Sequence, residues 1–222
     1  MNLLLKIFTC LLPWLLRRHA LQHWFGYELH PTSRIGLAWV FPQKLIMAAG
    51  SSIDHFTVAI HLETIQLEEQ ASIGRNNWIT GFPSNTNSLH FKHQVGRQSR
   101  LLLGESSAVT KNHHLDCTNT IEIGRFATVA GYQSQFLTHS IDVFENRQDS
   151  APITIGAYAF VGTNSVVLGG ANLPAHSVLG AKSLLNKPHV EEWRLYGGVP
   201  AKELSIIPKT AKYFTRKEGF VF

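Results

Sequence analysis

From Ile155 onward an aliphatic residue returns at every sixth position: Ile155, Val161, Val167, Leu173, Leu179 and Leu185. A small residue follows four places later (Ala159, Ser165, Ala171, Ser177, Ser183), and Gly156, Gly162 and Gly180 come directly after three of the aliphatics. The same spacing runs through Ile35, Phe41, Met47, Ile53, Ala59 and Ile65, then Leu67, Ile73 and Ile79. It resumes at Leu103, Val109, Leu115 and Ile121, and again at Ile123, Val129, Gln135 and Ile141. Gln135 is the sole polar member, although a composition of 44% hydrophobic would leave more than half of such positions polar by chance. Neither the 3.6-residue period of a helix nor the two-residue period of a long strand explains this. A short strand ending in a tight corner does. Three such units close a triangular coil of about 18 residues, and stacked coils pair as parallel strands about 4.8 Å apart. The aliphatics line the inside and the small residues fit beside them near the corners. The pattern predicts an all-β solenoid.

The breaks carry information too. Two-residue steps at Ile65/Leu67 and Ile121/Ile123 are expected to be corner bulges. Phe82 to Arg100 lacks the period, and Asp142 to Pro152 interrupts it, so loops are expected near 82–100 and 142–152. Loops leaving a rigid scaffold tend to carry function. After Asn186 the repeat stops, and 190–197 and 209–218 are expected to be short helical caps on an open-ended solenoid. The organisation is therefore an N-terminal arm over 1–25, a solenoid over 26–189 and a C-terminal cap over 190–222.

The arm is unusual. Leu3 to Leu16 is nearly all apolar but too short for the roughly 20 residues that cross a bilayer. It has neither the basic start nor the small-residue cleavage site of a signal peptide. On a helix, Lys6, Thr9, Pro13 and Arg17 form one narrow polar stripe, and Leu4, Leu5, Ile7, Phe8, Leu11, Leu12 and Leu15 cover the rest. The protein itself, a sister subunit or a membrane surface must cover that face. A net charge of +5 without any polybasic run suits a phosphorylated small molecule or an anionic membrane, and no nucleic-acid partner is expected. Only 16% of residues are charged, against about 25% in typical domains, which excludes disorder and coiled coil. Cys10 and Cys117 lie far apart without zinc-ligand spacing, so no metal is expected.

The stretch ITIGAYAFVGTNSVVLGGANLPAHSVLGAKSLLNK, the later GGVPAKEL, and THSID just before a loop together resemble the hexapeptide-repeat acyltransferases. Within them the chain is most similar to sugar and polysaccharide O-acetyltransferases of the galactoside, maltose, colanic-acid and nodulation types. The resemblance covers roughly 103–204, more loosely 26–80, and the arm with Phe25-Gly26 is similar to that of the polysaccharide-type members. It implies a left-handed parallel β-helix and a homotrimer with clefts between subunits. It also implies acetyl transfer from acetyl-CoA to a sugar or glycan hydroxyl, in surface polysaccharide or O-antigen biosynthesis. The implied location is the cytoplasm, with the inner membrane face as a further site of contact.

His139 matches the catalytic histidine, the base an alcohol needs when it attacks a thioester. His114 and Asp116, about one coil earlier, are candidates to bind the acceptor or orient His139, with His113 a rival to His114. Asp142 is a further acceptor-side candidate. For the acyl donor the resemblance points to Phe160, where many relatives have Trp, and to Thr163, Ala181, Asn186, Lys187 and Lys202. Lys182 stands where relatives usually have Gly. N-acetylation of an amino sugar and acetylation of serine use the same base and stay open, as does a non-catalytic scaffold. A zinc carbonic anhydrase of this shape needs HxxxxH, and Phe144 stands five residues after His139.

Overall fold

The computed structural model describes residues 3–219 and 221; residues 1–2, 220 and 222, at the outer ends of the arm and cap, lie outside the described residues. The chain winds as a left-handed parallel β-helix with three flat faces. Face one stacks strands from Glu28–Leu29 through Thr64–Leu67, Arg100–Leu103 and Ile121–Ile123 to Asn172–Leu173. Face two runs from Arg34–Ile35 through Ser72–Ile73, Thr128–Val129 and Phe160–Val161 to Arg194–Gly197. Face three runs from Trp39–Phe41 through Trp78–Gly81, His114–Cys117 and Gln135–Leu137 to Leu184–Leu185. The inward aliphatics are almost fully buried in one continuous column.

The steps in the period have a different origin from the one expected. Ile65 pairs with Leu101 and Leu67 with Leu103, all four pointing inward. Ile121 and Ile123 pair in turn with Ile153 and Ile155. Between its two-residue end strands, the strands of face one are long enough to bury two residues each, because alternate side chains share a face. The steps are strand interiors and not corner bulges. Two register positions also move by one. Val40, paired with Ala59, fills the column in place of Phe41. Phe41 points outward and is buried by the arm, its ring 5.3 Å from that of Phe25. Phe136 stacks between Leu115 and Val167, so the exposed Gln135 is an outward residue. The residue that shifts the register fits at Gly131, which takes a positive φ of 73°. Ile141 leaves the column altogether and lies exposed in a hairpin.

Corners need left-handed backbone geometry, and this chain supplies it mostly without glycine. Asn76, Asn112 and Asn164 occupy one column of corners. The next column holds Phe126, Tyr158, His176 and Trp193, which stack with centroids 4.8, 5.4 and 4.6 Å apart and nearly parallel planes. Ring stacking at successive rungs offsets the cost of a side chain at positive φ. The C-terminal segment lies along this ladder. Phe214 is buried against Trp193, and the Arg216 guanidinium covers Tyr158 at 5.6 Å.

The cap differs from the expected pair of helices. Arg194–Gly197 adds a last parallel strand to face two and folds back on Lys202–Ile206 as a hairpin. The 209–218 segment contributes one 3-10 turn, Lys212–Thr215. Tyr196, buried in the column's last rung, explains the strand.

The arm forms two helices, α1 (Leu3–Leu11) and α2 (Trp14–Phe25), broken at Pro13. Its polar stripe faces the protein. Arg17 is 3% exposed and donates to Gly36 O at 2.6 Å and Ala38 O at 2.7 Å. Thr9 is fully buried, and Lys6 Nζ sits 5.1 Å from the Phe41 ring centre.

Candidate active site

Face three carries the site. Its strand His114–Cys117 directs His114 and Asp116 outward, because residues two apart share a face. Two excursions rise beside it. Residues 82–99 leave after Trp78–Gly81 and return at Arg100, and the hairpin of His139–Asp142 with Arg147–Ser150 leaves after Thr138. The ladder closes underneath both, since Thr80 still pairs with Asp116 across the first and Leu137 with Leu168 across the second.

His139 stands at the first position of the hairpin, and its Nδ1 hydrogen-bonds the Asp116 carboxylate. The same carboxylate oxygen accepts the His139 backbone N–H at 3.2 Å. The other oxygen accepts the Thr118 N–H at 3.1 Å and hydroxyl at 2.7 Å. Burial alone would raise the Asp116 pKa. The hydrogen bonds from His139 and Thr118 outweigh it, and the group is held below the usual carboxylate range. Asp116 is therefore an acceptor, so the His139 proton lies on Nδ1 and Nε2 is left as the free basic nitrogen. The hydrogen bond to Asp116, opposed by partial burial, raises the His139 pKa above its ordinary value.

Around this pair is a cavity of about 290 Å³ lined by Thr80, Gly81, Phe82, His90, Phe91, Asp116, Thr118, His139 and Gln148. Phe91 meets the His139 ring edge-on at 6.2 Å. Arg97 fastens the covering loop. It donates to Phe82 O at 2.5 Å and to Thr118 O, and its guanidinium lies 4.6 Å from the Phe91 ring centre. Gln94 ties the same loop to the hairpin through Asp149 at 2.6 Å and Ser150 O at 2.7 Å. Phe91 and Arg97 were not singled out in the sequence, because nothing in an aperiodic loop marks which side chain turns back over the scaffold.

Asp116 is the expected residue that meets His139. His114 lies on the same outward face, paired in register with Trp78 and Gln135. His113 faces the other way and is buried. Its Nδ1 accepts the Ser134 N–H at 3.2 Å and its Nε2 meets Thr110 Oγ1 at 2.9 Å. Burial pushes it down to about 4, so it stays neutral inside the prism. The Asp142 carboxylate accepts the N–H groups of Phe144 and Glu145 and so shapes the hairpin turn.

Of the residues expected on the donor side, Thr163, Ala181 and Lys202 lie at the edge of face three opposite His139. Thr163 sits beside the corner residue Asn164, and its hydroxyl donates to Tyr132 O at 3.0 Å. Ala181 lies on the next rung, so close that a side chain at Gly162 would meet its nitrogen at 2.6 Å. Lys202 follows below, paired with Gly197. Lys182 takes the positive-φ corner after Ala181. Phe160 points outward from face two against Tyr213. Asn186 and Lys187 are exposed just after the last strand of face three. Within one chain the width of face three separates Thr163, Ala181 and Lys202 from His139, whereas Asn186 and Lys187 continue the strand in register with Leu137 and Thr138 at the edge His139 leaves from. Among the described residues no group of three or more His, Cys, Asp or Glu could hold a metal ion.

No protein-family model and no curated protein matches the sequence. Solved structures match the fold. The polysialic acid O-acetyltransferase OatWY aligns at a TM-score of 0.62 and 14% identity, over 86% of this chain and 90% of that one. AntD, an N-acyltransferase from Bacillus cereus solved with dTDP-4-amino-4,6-dideoxyglucose and coenzyme A, aligns at 0.52 and 13%, over 82% and 81%. A hexapeptide-repeat acetyltransferase from Vibrio cholerae, solved with acetyl-CoA, aligns at 0.47 and 19%, over 92% and 84%.

Proposed function

We propose that the chain is an acyltransferase that moves an acetyl group from acetyl-CoA to a sugar hydroxyl, with His139 as general base. The observation that carries this reading is the Asp116–His139 pair, facing a cavity walled by two excursions. Its volume corresponds to about ten waters, which suits one sugar ring at a time. Solved relatives of the same fold that act on glycans or nucleotide-linked sugars support the choice of acceptor class.

In this reading Nε2 of His139 takes the proton as the acceptor oxygen attacks the thioester carbonyl. The C–O bond forms, the C–S bond breaks, and the imidazolium returns its proton to the departing thiolate. The buried Asp116 carboxylate steadies the positive ring during the step. Thr163 and Ala181 would flank the pantetheine arm, Phe160 the site wall, and Asn186, Lys187 and Lys202 the anionic nucleotide. Thr163, Ala181 and Lys202 lie on the edge of face three opposite His139, so a homotrimer that seats that edge of one subunit against the next subunit's His139 would complete the site. His114 would contact the acceptor beside Asp116, and Asp142 would act through the hairpin it shapes.

Thiol release from acetyl-CoA, measured across hydroxyl and amino sugars, tests this. Turnover with at least one hydroxyl sugar that falls about 10²–10⁴-fold in His139→Ala is expected. Unchanged turnover in that variant would remove the mechanism.

A further inference from the structure

The arm is an amphipathic helix pair packed the reverse of the usual way. On α1 and the first turn of α2 the polar Thr9 and Arg17 are inside and large apolar side chains are outside, while further along α2 Ala20 and Leu21 are buried. Leu3, Ile7, Phe8 and Leu11 on α1, with Leu15 and Leu16 on α2, are exposed; Leu11 is 75% and Leu15 68% accessible. This orientation is fixed by chemistry. The Arg17 guanidinium satisfies two carbonyls of the first coil, Gly36 O and Ala38 O. Rolling the arm over would strand that buried charge and both acceptors. Contiguous apolar surface held outward in this way marks an interaction site.

Two features choose the occupant. Residues 1–27 contain no Asp or Glu, and they hold Lys6, Arg17 and Arg18. That charge pattern complements an anionic surface. Trp24, in ring contact with Phe8 at 6.2 Å, supplies an aromatic at the rim, where indoles favour a membrane–water boundary. Among the described residues no helix is long and apolar enough to cross a membrane, and Pro13 breaks the pair in two.

We propose that the outward side of α1 and the first turn of α2 lies in the surface of an anionic bilayer, holding the β-helix against the membrane. Such segments bury their apolar face about 5–10 Å deep, with basic groups at headgroup level. The inference stands apart from the transferase reading, because binding is measured without turnover.

Flotation of the full chain with vesicles of phosphatidylcholine containing about a third phosphatidylglycerol tests it, beside vesicles of phosphatidylcholine alone. The wild-type chain should float with the anionic vesicles. Binding should fall at least about tenfold in Leu11→Glu/Leu15→Glu and weaken in about 0.5 M salt. The double variant should keep its circular dichroism and thiol release with a soluble acceptor. A folded wild-type chain that stays with neither vesicle, or a double variant that floats equally well, overturns the proposal. So does a double variant of lower mass by light scattering when the wild type ignores vesicles, which would make the strip an interface between copies.

Discussion

One oxygen of Asp116 receives both the backbone N–H and the ring Nδ1–H of His139, a residue 23 positions later in the chain. The ring is thereby fixed in tautomer and direction, with Nε2 turned to the cavity. A carboxylate held ionised beside an imidazole held toward its charged form sets the pH range in which the ring is neutral.

A base must be neutral to act, and Asp116 stabilises the charged form of His139. The acid limb of kcat/KM is therefore expected above the ordinary imidazole value of about 6.5. In Asp116→Asn the limb should move to lower pH while kcat falls at least about tenfold. A pH–rate profile of both proteins checks this; an unmoved limb would detach Asp116 from the base.

His113 gives a stability signature distinct from that of the site. Its folded value is depressed to about 4, so the unfolded chain binds the extra proton between about pH 6.5 and 4. The stabilisation is complete above about pH 6.5 and disappears as pH falls toward 4, a loss of about 3 kcal/mol. Urea midpoints of the wild type and His113→Gln across this range should converge on the acid side.

The register makes neighbouring residues unequal. Phe136→Ala empties a fully buried position in the column and should cost about 3–5 kcal/mol. Gln135→Ala, on the exposed side of the same strand, should stay within about 0.5 kcal/mol. Denaturation of the two variants side by side measures the contrast. Similar midpoints would restore the six-residue spacing at Gln135.

Arg97→Met should loosen the covering loop without touching the reacting atoms. It removes the donors to Phe82 O and Thr118 O. Limited proteolysis within 82–99 should quicken, and KM for the acceptor should rise severalfold with little change in KM for acetyl-CoA. A loss confined to kcat would argue that Arg97 acts on His139 through Asp116 instead.

The solenoid was legible because its physics is periodic: a column must be filled at every rung, and Ile155 to Leu185 repeats without a fault. Errors arose where one residue entered or left the count. A uniform six-residue step cannot tell Phe41 from Val40, since both are apolar and only the arm decides which turns outward. It likewise missed that one strand can bury both Ile65 and Leu67. His139 could be found from its motif and Asp116 from its spacing. Phe91 and Arg97 could not, because contacts made by an aperiodic loop depend on its full three-dimensional path. The arm posed the reverse difficulty. Its amphipathic pattern was plain, yet hydrophobicity alone points the wrong side inward, and only the carbonyls awaiting Arg17 correct it.

Thr80 and Asp116, and Leu137 and Leu168, remain neighbours on the ladder although the chain departs from it between the members of each pair. The scaffold is therefore indifferent to what is spliced in at those two points. Lengthening or exchanging either insertion would remodel the wall facing the acceptor, while the rungs carrying Thr163, Ala181 and Lys202 stayed as they are. On the proposed reading, choice of acceptor and handling of the donor can then diverge independently, since they are built on separate parts of the chain.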